Sequence, residues 1–141
     1  MGIVTIIVIG DFFISGLSRR TITFYAEENR EPLIEERFIS WKWNEEKDIH
    51  AFVEEILLGP EYPDTAALLD RGTRLETFFY RDGRAVIGLS EEAAIPIGPL
   101  YMPRADIQES LRSISRDLRR NFLSVHEIYF FIAGREVKIE P

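Results

Sequence analysis

The stretch 74–89 constrains the fold most. Two β-rich runs, Arg74–Tyr80 and Arg84–Leu89, flank Asp82-Gly83, a pair that accepts the positive φ angles of a tight hairpin. A hairpin makes its strands antiparallel neighbours, and helical patterns lie on both sides of this one. Upstream, Ile49, Phe52, Val53, Ile56 and Leu57 share one helical face. Asn44 is placed to cap that helix, Glu45, Glu46 and Asp48 suit the positive end of its dipole, and Gly59-Pro60 stops it. Downstream, Ile107, Leu111, Ile114, Leu118 and Phe122 form a narrow apolar stripe, predicting a helix from Arg104 or Asp106 to Phe122. Asp106 with Glu109 fits a capping box there.

Strands are predicted over Thr21–Tyr25, Glu35–Trp43 and Val125–Ala133, with a last short one ending near Ile139, and Glu91–Pro103 reads as a proline-rich loop. Hairpin-linked strands alternating with helices cannot build an all-parallel sheet. The expected architecture is therefore an α+β two-layer sandwich, with a mixed or antiparallel sheet, both helices on one face and a β-α-β-β-α-β core.

At 141 residues the chain has the length of one domain, and 45% hydrophobic with 29% charged residues is a globular composition. The net charge of -7 opposes the pull of a phosphate backbone, so nucleic acid is not an expected partner. The charge is uneven: residues 1–70 hold 6 basic and 14 acidic side chains, residues 71–141 hold 11 and 10. With no cysteine, disulfides, thiolate metal sites and cysteine nucleophiles are excluded.

Residues 3–17, IVTIIVIGDFFISGL, carry a single charge, Asp11, and precede Arg19 and Arg20. As a helix this run would cover about 22 Å of a roughly 30 Å hydrocarbon layer. It is short for a span unless the true start lies upstream of Met1, and it lacks the basic start and small-residue cleavage site of a secretory signal. A membrane anchor through residues 3–17 is the favoured reading and a buried strand or helix the alternative. Residues 1–20 are thus read as the anchor segment and 21–141 as one folded unit.

Several elements together resemble the GerMN domain of sporulation and spore-germination proteins. They are Thr23-Phe24-Tyr25, the helix end Val53-Glu54-Glu55-Ile56-Leu57-Leu58-Gly59-Pro60, Gly72-Thr73-Arg74-Leu75, the hairpin from Asp82-Gly83 to Ser90, and the strand and turn Ile128-Tyr129-Phe130-Phe131-Ile132-Ala133-Gly134-Arg135. The resemblance implies an assembly module without established enzymatic activity, similar in layout to ring-building domains of sporulation complexes. It also implies anchorage in the bacterial envelope with the domain outside the cytoplasm. The chain departs from lipoprotein members in having no cysteine to carry a lipid, which leaves residues 3–17 as the anchor. Arg19 and Arg20 pull the other way on orientation, because the positive-inside rule would keep the domain in the cytoplasm.

Reactive motifs are not found. His50 and His126 are far apart and in no ligand spacing, no Gly-x-Ser-x-Gly or phosphate-cradling glycine loop occurs, and no catalytic residue, metal or cofactor is expected. Two patterns are candidate binding features. Arg112, Arg116, Arg119 and Arg120 fall at i, i+4, i+7 and i+8, opposite the apolar stripe of the second helix, while Glu54 and Glu55 face away from the apolar side of the first. Such a basic face suits self-association, an acidic envelope partner or anionic lipid, although a solvated helix face with dipole compensation is the simpler reading. Ile39-x-Trp41-x-Trp43 would put both tryptophans on one strand face, where they either pack on the helices or grip a glycan ring.

Overall fold

A computed structural model describes residues 16–96 and 106–140. The strands are β1 (Leu17–Ala26), β2 (Pro32–Ser40), β3 (Thr65–Ala66), β4 (Leu75–Arg81), β5 (Arg84–Leu89), β6 (Glu127–Ile132) and β7 (Arg135–Val137). The helices are α1 (Glu45–Leu58) and α2 (Ile107–Asn121), and a short 3-10 turn spans Glu91–Ala94. The architecture is α+β, with the mixed strand pairing that the alternation of elements requires. Hydrogen bonding divides the strands into two sheets, ordered β2-β1-β3 and β4-β5-β6-β7.

Local signals set most of these elements. Asp82 (φ 49°) and Gly83 (φ 79°) turn the β4–β5 hairpin in the left-handed conformations that the pair tolerates. The Asn44 side chain accepts the Lys47 N–H at 3.0 Å and starts α1, and Gly59 ends it at φ 84°. β5 and β6 run parallel, which their long connection through α2 permits. One core joins everything: Ile22 and Phe24 of β1, Phe52 and Ile56 of α1, Leu111 and Leu118 of α2, and Ile87 and Phe130 of the second sheet are all buried in it.

Several boundaries differ from expectation. β1 begins at Leu17, so the end of the apolar run and both arginines lie in a strand that pairs with β2 from Leu17↔Ser40 onward. Residues 3–15 of the presumed anchor lie outside the described residues, as does most of the Pro-rich loop beyond its 3-10 turn. β2 ends at Ser40 rather than Trp43, because Trp43 turns into the left-handed region (φ 59°) immediately before the α1 cap. Asp106 caps α2, its carboxylate accepting the Gln108 N–H at 3.3 Å, but Glu109 does not complete the capping box; it pairs with Arg30 at 2.6 Å.

Beside the shared apolar core, polar side chains also tie α2 to the first sheet. Alternate N–H groups of β1 point away from β2, and β3 covers only Tyr25 and Ala26 on that edge. Side chains of α2 pair with the backbone of Thr21 and Thr23 on the same edge. Thr21 N–H donates to Asn121 Oδ1 at 3.0 Å, Asn121 Nδ2 donates to the Thr21 carbonyl at 2.8 Å, and Thr23 N–H donates to Asp117 Oδ2 at 2.8 Å. At the other end of α2, Gln108 Nε2 donates to the Lys138 carbonyl at 2.8 Å and Gln108 Oε1 accepts the Glu140 N–H at 3.0 Å. A carboxamide at each end of the helix thus takes the place of a strand neighbour. Replacing Asn121 with Ala leaves the Thr21 amide and carbonyl unpaired and should cost about 2–3 kcal/mol in urea unfolding. The Thr21 amide should then exchange with solvent faster than its neighbours on the β2 side; unaltered protection at Thr21 would contradict the role assigned to Asn121.

Candidate functional site

α2 is embedded further than its apolar stripe requires. Leu111, Ile114 and Leu118 face the core, Ser113 and Asp117 face β1, and Ser110 and Ser115 are buried as well. Between positions 112 and 120 the residues left exposed are Arg112, Arg116, Arg119 and Arg120. The basic face expected from the sequence is therefore a narrow seam between two sheets.

The seam runs along two grooves. The larger, about 800 Å³, is lined by Arg112, Arg116 and Arg119 of the helix and by Ile128, Tyr129, Val137 and Ile139, with Glu109, Glu136 and Glu140 also lining it. The smaller lies between α2 and the first sheet and is lined by Thr23, Tyr25, Ile34, Asp117, Arg116 and Arg120. Arg116 is shared by both and reaches the Tyr25 hydroxyl at 3.3 Å.

The four arginines are not equivalent. Arg120 donates to Asp117 Oδ1 at 2.6 Å and to Thr23 Oγ1 at 3.0 Å, so it is committed to the β1–α2 junction. Arg119 reaches the His126 carbonyl at 3.5 Å, at the limit of a hydrogen bond. Among the described residues Arg112 has no hydrogen bond or ion pair. Arg112, Arg116 and Arg119 are the arginines available to a ligand. The acidic counterpart on α1 is smaller than the sequence implies, since Glu55 accepts from the buried Arg37 at 2.8 Å and only Glu54 remains on the open face.

Trp41 and Trp43 are brought together, though not on a strand face. Their rings stack on each other with centroids 4.0 Å apart and planes 16° off parallel. They border a shallow hollow with Arg20, Phe122 and Leu123, at the end where the Trp41 N–H donates to the Gly16 carbonyl at 2.7 Å. Among the described residues no cluster of acids and histidines is placed to hold a metal ion.

No protein-family model and no curated protein matches the sequence. Solved structures do match its shape. The first GerMN domain of the sporulation protein GerM from Bacillus subtilis aligns with a TM-score of 0.58 at 18% identity, over 86% of each chain. The tandem GerMN domains of the same protein align with a TM-score of 0.60 at 16% identity, over 86% of this chain and 41% of that one. The fold is GerMN-like. A protein from Clostridium perfringens assigned as a candidate lipoprotein also aligns, with a TM-score of 0.54 at 21% identity, over 88% of this chain and 80% of that chain.

Within this GerMN-like fold, the group that the sequence reading missed is Asp117. Its side chain is fully buried and accepts from the Thr23 N–H, the Thr23 hydroxyl at 3.0 Å and Arg120. A signal for it does exist. Asp106, Ser110, Ser113, Asp117 and Asn121 recur at spacings of three and four, a stripe of short polar side chains beside the apolar one. Burial raises the Asp117 pKa above the ordinary aspartate value, and the Thr23 donors with the charges of Arg120 and Arg116 offset only part of that shift. The folded protein therefore holds this proton more tightly than the unfolded chain. The associated stability is fully present below the unfolded pKa and is lost as pH rises through the raised native value. Measured across about pH 3 to 7, the wild type should lose stability relative to an Asp117→Asn variant as pH increases. A difference between the two that is independent of pH would show that Asp117 does not titrate in this way.

Proposed function

We propose that this chain is a non-enzymatic, membrane-anchored protein of the cell envelope, whose GerMN-like domain mediates protein–protein assembly through the arginine seam of α2. The observation that carries the reading is that Arg112, Arg116 and Arg119 line an open groove whose other wall is partly apolar. Guanidinium groups beside exposed apolar and aromatic surface form the kind of patch on which protein interfaces concentrate their binding energy. The groove is wide and unenclosed, and the buried ionisable group beside it, Asp117, is held in structural hydrogen bonds. These features favour docking over chemistry.

The envelope location rests on two supports. One is the apolar sequence of residues 3–17; the other is the fold shared with a sporulation protein and a candidate lipoprotein. Among the described residues no helix is long and apolar enough to cross a membrane; in this reading the anchor is residues 3–17, on the strength of their apolar sequence. The partner is a second copy or an envelope protein with an acidic surface. A glycan-binding role for Trp41 and Trp43 has less geometric support, because each indole already spends one face on the other.

Exchanging Arg112, Arg116 and Arg119 for Ser tests the seam without disturbing the Arg120–Asp117 pair. In-cell crosslinking should lose the partner or self-association band. Affinity for the captured partner should drop on the order of ten- to a hundredfold, as expected for three exposed charge contacts. The circular dichroism spectrum should not change. Association that survives the triple substitution rejects the seam as the interface.

A further inference from the structure

We infer that the end of the domain carrying Trp41, Trp43 and Leu123 rests on the lipid surface, as an interfacial contact beside the anchor. The inference depends on the membrane-anchored reading above but uses a different surface, remote in role from the arginine seam. Trp43 is 70% exposed and Leu123 is 88% exposed, the highest value among the exposed large apolar residues of the described chain. The two border one hollow, together with Trp41 and Phe122. It is their grouping around one hollow, more than the exposure of either alone, that marks a contact surface.

What identifies the occupant is where the rest of the chain joins. The apolar run of residues 3–15 enters the domain at Gly16, whose carbonyl accepts the Trp41 N–H at 2.7 Å. A segment embedded in lipid and ending at Gly16 brings the indoles to the depth of the headgroups. Tryptophan favours that depth, because its apolar ring is buried while its N–H stays hydrated. Arg20 lines the hollow and sits over the Phe122 ring at 4.1 Å, and Lys42 stands between the two tryptophans in sequence.

The acids nearby define the kind of surface. Asp48 accepts the Lys42 N–H at 2.7 Å and Glu45 accepts the Ser124 hydroxyl, so the charges around the hollow are mixed. A polybasic attraction to anionic lipid is not built here. The contact is apolar and aromatic, and it should form on zwitterionic lipid and withstand salt.

The chain has only two tryptophans, so its indole emission reports on this surface alone. The full chain is reconstituted into phosphatidylcholine vesicles with and without phosphatidylcholine brominated near the headgroup end of the acyl chain. Emission should fall roughly twofold or more in the brominated vesicles and should be unaffected by salt, as interfacial indoles require. In a Trp43→Ser/Leu123→Ser variant that still floats with the vesicles, the remaining Trp41 emission should lose most of that quenching. A chain that floats with its emission untouched by bromine overturns the lipid contact while leaving the anchor intact. A chain that does not float overturns both. Emission that is blue-shifted without lipid and insensitive to bromine overturns the contact in favour of burial under the chain's own apolar segment.

Discussion

The pairing of α2 side chains with the open edge of β1 is the interaction on which the rest of the structure depends. A strand with one unpaired edge exposes N–H and C=O groups that must find partners when buried. In this fold the edge is closed by Asp117 and Asn121, which bond the Thr21 and Thr23 backbone groups. The geometry leaves α2 no freedom to rotate or slide, because either movement would leave several buried polar groups unpaired at once. Arg20 completes the junction by donating to the Asn121 carbonyl at 2.7 Å, where the last turn of the helix has no partner of its own. Arg119 and Arg120 place further positive charge at the same negative pole of the helix.

This locked position explains the shape of the candidate interface. The helix is held by β1 on one flank, by the core beneath and by the C-terminal strap through Gln108, so only a seam remains in contact with water. Arginine suits such a seam because its long stem can lie along apolar walls while the guanidinium reaches solvent or a partner. Arg120 differs from the other three in donating to the buried Asp117 while remaining partly exposed itself. A fully buried ion pair, Glu35 with Arg37, serves α1 similarly, since Arg37 also bonds the Gly59 carbonyl at the end of that helix. Polar junctions therefore set the position of both helices, and the apolar core supplies the burial around them.

Much of the architecture was legible in the sequence because it is written in local chemistry. The Asp82-Gly83 turn, the Asn44 cap and the Gly59 stop each act within a few residues, and each stands where the chain places it. The apolar stripes of both helices point inward as their spacing requires. Less legible was the end of β2. The period-two pattern through Trp41 and Trp43 continues past Ser40, but the positive φ of Trp43 and the start of α1 break the strand, and the indoles stack on each other instead. Glu109 looked like half of a capping box because a sequence window cannot contain Arg30, 79 residues away, which captures it.

By itself, then, the sequence determined the α+β class, the hairpin, both helices with their buried faces, and the concentration of arginine on one side of the second helix. Those features follow from turn propensity, capping and hydrophobic period, all of which act over one or two turns of chain. Only the tertiary structure decided that the strands divide between two sheets, that Asp117 is a buried junction and not a solvated acid, and that of the four arginines Arg120 alone is bonded to it. Those outcomes depend on which distant backbone groups lack a hydrogen bond once the chain has closed on itself, and no local pattern carries that information.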